Sequence, residues 1–269
     1  MMTVNDILEL LLTWAPRRLA WERDNVGLLL GSGSAEVHRI LVCLDVTPET
    51  VLEARERGAD LIVAHHPLIF HPLKHIRTDD VSGRMLADLL AAGISVIAMH
   101  TNADATERGL NDALASQLGL VDVHPLERPR ADTLPGTGLG AVGRLATAMQ
   151  ADVFLRHVRS SLAAEGLRHT PVAPGRMIET VAVCGGSGSG LIADACVAGA
   201  DAFVTADLTY HAFQDYRHAL LLVDAGHYET EQVFVARCAD VLEEALVENK
   251  RKIDILRTDQ SVNPVRFLH

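Results

Sequence analysis

The chain has 269 residues, 48% of them apolar and 22% charged, enough for one large domain or two modest ones with a real core. Its 24 basic and 35 acidic residues leave a net charge of −11, which argues against a nucleic-acid groove or an anionic membrane surface as partner. The four cysteines, Cys43, Cys184, Cys196 and Cys238, never approach a Cys-x-x-Cys spacing, and read as buried thiols of a reducing, cytoplasmic compartment.

At the N-terminus Thr3 precedes Val4, Ile7, Leu8, Leu11 and Leu12, an amphipathic helical stripe. Asp6 and Glu9 lie where a signal peptide would be uncharged, and no apolar run reaches the length of a membrane span. Residues 39–44 then read as a strand, and Thr47-Pro48-Glu49 opens a helix with a cap and a first-turn proline. Strands follow at 60–64 and 94–99 with a helix near 80–92 between them, and 107–118 is again helical. This alternation predicts an α/β fold with a mostly parallel sheet covered by helices.

Residues 125–140 are rich in Pro and Gly and read as a link. A strand near 139–146 and a helix near 152–163 open the second half, followed by a loop at 167–177. Strands at 179–184, 201–205 and 219–223 alternate with helices near 189–198 and after 205, and a long helix covers 229–249. The tail offers one short strand at 252–256.

The second half thus repeats the plan of the first. Gly58-Ala59-Asp60 before one strand matches Gly199-Ala200-Asp201 before its counterpart, and the step of 22 residues from Cys43 to His65 compares with 21 from Cys184 to Thr205. Two duplicated lobes, 1–125 and 126–269, are expected, with the site between them.

Parallel sheets place ligands beyond the carboxyl ends of their strands, and the reactive residues of this chain gather there. His65-His66-Pro67 ends the second strand and His100-Thr101-Asn102-Ala103-Asp104 the third; Asp207 and Asp224-Ala225-Gly226-His227 end strands of the second half. Inside a strand, adjacent histidines would face opposite ways. At a strand end, with Pro67 forbidding an immediate helix, they can offer one imidazole to each of two metals. His227 and Glu231 are four apart on a helix, within reach of one ion. Imidazoles and carboxylates suit zinc, iron, manganese, nickel or cobalt. His71 and His75 fall in a Pro-containing loop and are read as non-ligands. His100 is either a proton shuttle or the partner of a ligand. The turn Gly185–Gly190 lies between strand and helix, where Gly186, Ser187 and Gly188 could cradle a phosphate beside Asp207; a tight turn needing unusual backbone angles is the other reading.

The words Asp24-Asn25-Val26-Gly27-Leu28, Ala64-His65-His66-Pro67-Leu68, His100 to Asp104 and Gly226-His227-Tyr228-Glu229-Thr230-Glu231 resemble the Nif-three-like (YbgI-type) family, whose members are dinuclear-metal proteins known as GTP cyclohydrolase 1 type 2 homologues. The likeness runs from about residue 21 to Asn263-Pro264. It implies two similar α/β lobes, a homohexameric ring, and two divalent ions per chain held by His65, His66, Asp104, His227 and Glu231. Arg23 stands where the family pattern has a Trp, a change of packing rather than chemistry, and the chain has no room for the domain that some members carry inserted centrally. Two functions follow: a metal-dependent hydrolase acting on a nucleotide or another phosphate-bearing heterocycle, or a non-catalytic metal-binding scaffold.

Overall fold

The computed structural model describes residues 2–127, 134–250 and 252–268; part of the expected 125–140 link therefore lies outside the described residues. The chain forms two compact units, one made of the chain up to Ala103 with Phe234–Val262, the other of Asp104–Val233 with the chain from Asn263.

In the first unit α1 (Val4–Trp14) starts at the predicted cap, where Thr3 and Asp6 bond each other's backbone. Short β1 (Met2–Thr3) pairs with β3 (Glu36–Val37). The main sheet is built from β2 (Gly27–Leu30), β4 (Arg39–Cys43), β5 (Leu61–Ala64), β6 (Ser95–Ala98) and β13 (Asp254–Arg257), in the order β13-β4-β5-β6-β2. Strands β13, β4, β5 and β6 run parallel, and β2 closes the edge antiparallel to β6. Every residue of β5 and β6 is buried, so these strands read as unbroken apolar runs, as expected of a sheet covered on both faces. Helices α2 (Pro48–Glu56) and α3 (Val81–Ala92) supply Val51, Ala54 and Leu89 to a core with Leu41, Cys43, Ile62 and Val96. The helix α3 begins at Asp80, whose side chain accepts from the Gly83 amide, and ends at Gly93 in the left-handed region.

The second unit takes α5 (Leu110–Gln117), β7 (Leu120–Pro125), β8 (Ala141–Gln150), α6 (Ala151–Ser161), β9 (Arg168–His169), β10 (Met177–Ser187), α7 (Ile192–Val197), β11 (Ala202–Ala206), α8 (Tyr210–Tyr216) and β12 (Leu221–Asp224). Its sheet runs β7-β8-β10-β11-β12-β9, with β10, β11 and β12 parallel and the outer strands antiparallel. Alternation along β10 splits the core: Val181 and Val183 pack with Phe154 and Leu114, while Ala182 and Cys184 pack with Ile192 and Phe203.

The parallel cores share one strand order, and the repeated Gly-Ala-Asp word has one job in both. Gly58 and Gly199 end a helix with positive φ. The Asp60 carboxylate accepts from the His38 and Arg39 amides at 2.7 and 2.9 Å, and Asp201 accepts from Glu179 and Thr180, both at 2.9 Å. The pairing corrects the correspondence by one residue: Val42 lies opposite Val63 and Val183 opposite Val204, so His66 takes the place of Asp207. Each third parallel strand leads into a five-residue helix, α4 (Thr101–Ala105) and α9 (His227–Glu231).

Two expectations change. The long helix expected over 229–249 is broken at Gln232 into α9 and α10 (Val233–Glu248). The lobe boundaries shift: residues 234–262, expected in the second lobe, pack in the first unit, because β13 completes its ladder beside β4, and residues 104–125, expected in the first, pack in the second, where β7 pairs with β8. All four cysteines are free thiols, with Cys196 alone not fully buried. Among the described residues no helix is long and apolar enough to cross a membrane.

Candidate metal centre

In the first unit the His-His pair leaves β5 still in extended pairing: the His65 amide donates to Cys43 O (3.2 Å) and His66 to Leu44 O (3.0 Å). The rings nonetheless approach to 5.0 Å between centroids, tilted by 47°. His100, at the end of β6, brings its ring 5.2 Å from His65 and 5.7 Å from His66. One nitrogen from each of the three lies within 4.8 Å of the others, a spacing that can hold an ion.

All three imidazoles are oriented alike. His65 donates from Nδ1 to the Met99 carbonyl (2.9 Å), His66 from Nδ1 to Asp45 Oδ1 (2.7 Å), and His100 from Nδ1 to Asp24 Oδ1 (2.9 Å). Carbonyls and carboxylates only accept, so a neutral ring in each place carries its lone pair on Nε2. Carboxylate or carbonyl behind the imidazole is how metal-binding histidines are held and made more basic. His65 is fully buried and its ring lies 4.7 Å from Phe234.

Asp24 is the hub of this half. Its side chain is 1% exposed and takes bonds from the His100 ring, the Thr101 hydroxyl and the Thr101 and Asn25 amides. Burial pushes its carboxyl up, but the hydrogen bonds from His100 and Thr101, the His100 charge and the Asn25 amide outweigh burial and bring the pKa down to about 2.

In the second unit α9 sets His227 and Glu231 one turn apart, with His227 Nε2 at 2.9 Å from Glu231 Oε2. His227 Nδ1 donates to Asp207 Oδ2 at 2.7 Å. The bond to Glu231 raises the His227 pKa to about 9 against the pull of burial, with both carboxylate charges and the Asp207 bond adding to the rise. Two carboxylates around one imidazole make a place that favours a cation. Burial, then the charges of Asp104 and Glu231, pushes the Cys184 thiol up.

The glycine-rich turn seats these side chains. A Cβ on Gly186 would stand 2.1 Å from Glu231 Oε1 and 3.2 Å from His227 Cε1, and its φ is +60°. The amides of Gly185, Gly186 and Gly188 donate to Asn111 Oδ1, Thr230 Oγ1 and Thr205 Oγ1 at 2.9, 3.0 and 2.9 Å. The amides of Gly186 and Gly188 are thus engaged within the protein, as a tight turn requires. Asp207, read as substrate-binding, is the carboxylate that orients His227.

Sequence reasoning passed over Asp45 as a site residue, although it too follows the end of a strand, and met Asp24 only as part of a resemblance. His71 and His75 lie on the exposed loop after Pro67 and, among the described residues, join no donor group.

The family model for Duf34/NIF3 (NGG1p interacting factor 3) matches residues 2–264. The chain belongs to the Duf34/NIF3 family. The GTP cyclohydrolase 1 type 2 homolog of Clostridium perfringens is 32% identical over 268 residues, spanning 99% of this chain and 100% of the relative. That of Streptococcus pneumoniae is 33% identical over 274 residues, spanning 99% and 100%. The crystal structure of a Bacillus cereus protein related to NIF3 matches with a TM-score of 0.93 at 27% identity, covering 99% of each chain. Asp24, His65, His66, His100, Asp104, His227 and Glu231 all fall within the residues that the family model spans.

Proposed function

We propose that this Duf34/NIF3 chain is a metal-dependent hydrolase of the GTP cyclohydrolase type, acting on a nucleotide or related phosphate-bearing heterocycle. Two divalent ions (zinc, iron, manganese, nickel or cobalt) would be held by His65, His66, Asp104, His227 and Glu231. The observation that carries the reading is the common orientation of the histidines, each with an acceptor behind Nδ1. The donor set of neutral imidazoles and carboxylates fits such ions. When bound, the ions supply Lewis acidity and bring the pKa of water near neutrality.

The chain's own residues do the rest. His65 is locked by burial and by Met99 O, so its Nε2 cannot swing away. Asp45 and Asp207 fix the tautomers of His66 and His227. His100 accepts a proton at Nε2 while Asp24, behind Nδ1, stabilises the imidazolium that forms. Self-assembly into a homohexamer is proposed from the family resemblance; a monomeric mass by light scattering at micromolar concentration would refute it.

The test is turnover of GTP and of simple phosphoesters by protein loaded with each of the five metals in turn. Hydrolysis that a chelator abolishes and metal restores supports the reading. Absence of turnover by fully loaded protein on all of these substrates contradicts it and favours the scaffold.

A further inference from the structure

Residues 67–80 join β5 to α3 without helix or strand of their own, a length at which loops in compact domains usually carry function. The loop is clamped at both ends. Asn25 Nδ2 donates to Ile69 O at 2.5 Å, and Arg84 donates twice to Thr78 O at 3.1 and 2.9 Å. Between the clamps Phe70, Leu73 and Ile76 are 43%, 48% and 58% exposed.

Phe70 is the loop residue that meets His100. Its ring stands 6.2 Å from that of His100 at 87°, an edge-to-face contact. His100 is itself held by Asp24, and the Asn25 bond to Ile69 O holds the backbone next to Phe70. The ring of Phe70 is not consumed by this contact, since nearly half the residue meets solvent.

We propose that Phe70 is a stacking platform for a planar heteroaromatic ring, which it holds with the ring's polar edge toward His65, His66 and His100. An apolar ring beside the His100 imidazole, which itself lies 5.2 and 5.7 Å from the rings of His65 and His66, suits a flat molecule with polar edges better than a flexible aliphatic one. This inference takes its substrate class from the hydrolase reading, but it concerns binding and not turnover.

The experiment uses metal-loaded full-length protein and two probes, guanosine (ring without phosphate) and ribose 5-phosphate (phosphate without ring), titrated by calorimetry. Phe70→Ala should weaken guanosine binding by roughly tenfold, Phe70→Trp should retain it, and neither should alter the response to ribose 5-phosphate. Metal content and thermal midpoint equal to wild type show that the variants are folded. Guanosine that binds Phe70→Ala as well as wild type, or that fails to bind wild type, overturns the proposal. Protein that binds guanosine through Phe70 yet hydrolyses nothing refutes the hydrolase reading alone.

Discussion

His100 Nδ1 lies 2.9 Å from Oδ1 of Asp24, a carboxylate whose side chain is 1% exposed. The pair joins two separated sequence words, the Asp24-Asn25 word and the His100-Thr101-Asn102 word, and it settles which imidazole nitrogen faces the donor cluster. Asp24→Asn keeps the shape but can no longer enforce that tautomer. It should lower kcat by roughly 10–100-fold and leave the metal content near that of wild type. The measurement is steady-state kinetics beside metal analysis, with the His100 tautomer read from ring-nitrogen chemical shifts.

The glycine turn gives a prediction of contrast. Gly186→Ala meets both a left-handed φ and Glu231 Oε1 at 2.1 Å, whereas a Cβ on Gly190 meets nothing within 4 Å. Gly186→Ala should cost about 1–3 kcal/mol and reduce metal uptake, while Gly190→Ala should do neither. Urea unfolding and metal titration of the two variants decide between a turn that seats ligands and one that binds phosphate.

Duplication implies equal roles for Asp60 and Asp201, each bonding two amides at the start of the neighbouring strand. Asp60→Ala and Asp201→Ala should each destabilise by about 1.5–3 kcal/mol, the range for hydrogen bonds to a charged group. Unfolding free energies that differ widely between the two would break the equivalence.

Glu53 sets a pH dependence. Burial pushes its carboxyl up, but bonds from Thr258, the Asp259 amide and Arg57 outweigh it and hold the pKa below the ordinary value. A depressed folded pKa gives stability that is fully present above the unfolded value, about 4.3, and lost as pH falls through the lower folded value. Glu53→Gln should therefore be less stable than wild type at pH 7, and the difference should shrink as pH falls through the depressed folded pKa of Glu53. Denaturant midpoints across pH 3–7 check this.

Much of the fold was legible because buried parallel strands are uninterrupted apolar runs: 39–44, 60–64 and 94–99 foretold Arg39–Cys43, Leu61–Ala64 and Ser95–Ala98 to within a residue at most ends. Antiparallel edge strands carry no such signal. Gly27–Leu30 has only four residues beside a loop, and Leu120–Pro125 alternates and ends in a proline, so neither stood out. The break at Gln232 was hidden because helical periodicity continues across it. The candidate ligands could be read because they sit at strand ends. Their orienting partners could not: Asp24 and Asp45 reach His100 and His66 across the sequence, through a topology that only the fold supplies.

Metal stoichiometry tests the central claim most directly. Five residues would complete two ion sites only if a carboxylate served both, and we propose that both sites would need Asp104. Mass spectrometry of the purified, reconstituted protein should find two ions per chain in wild type, about one in His65→Ala, and none in Asp104→Ala. Wild-type protein that takes up no ion from any of zinc, iron, manganese, nickel or cobalt would contradict the account, and two ions retained by Asp104→Ala would show that neither site needs Asp104.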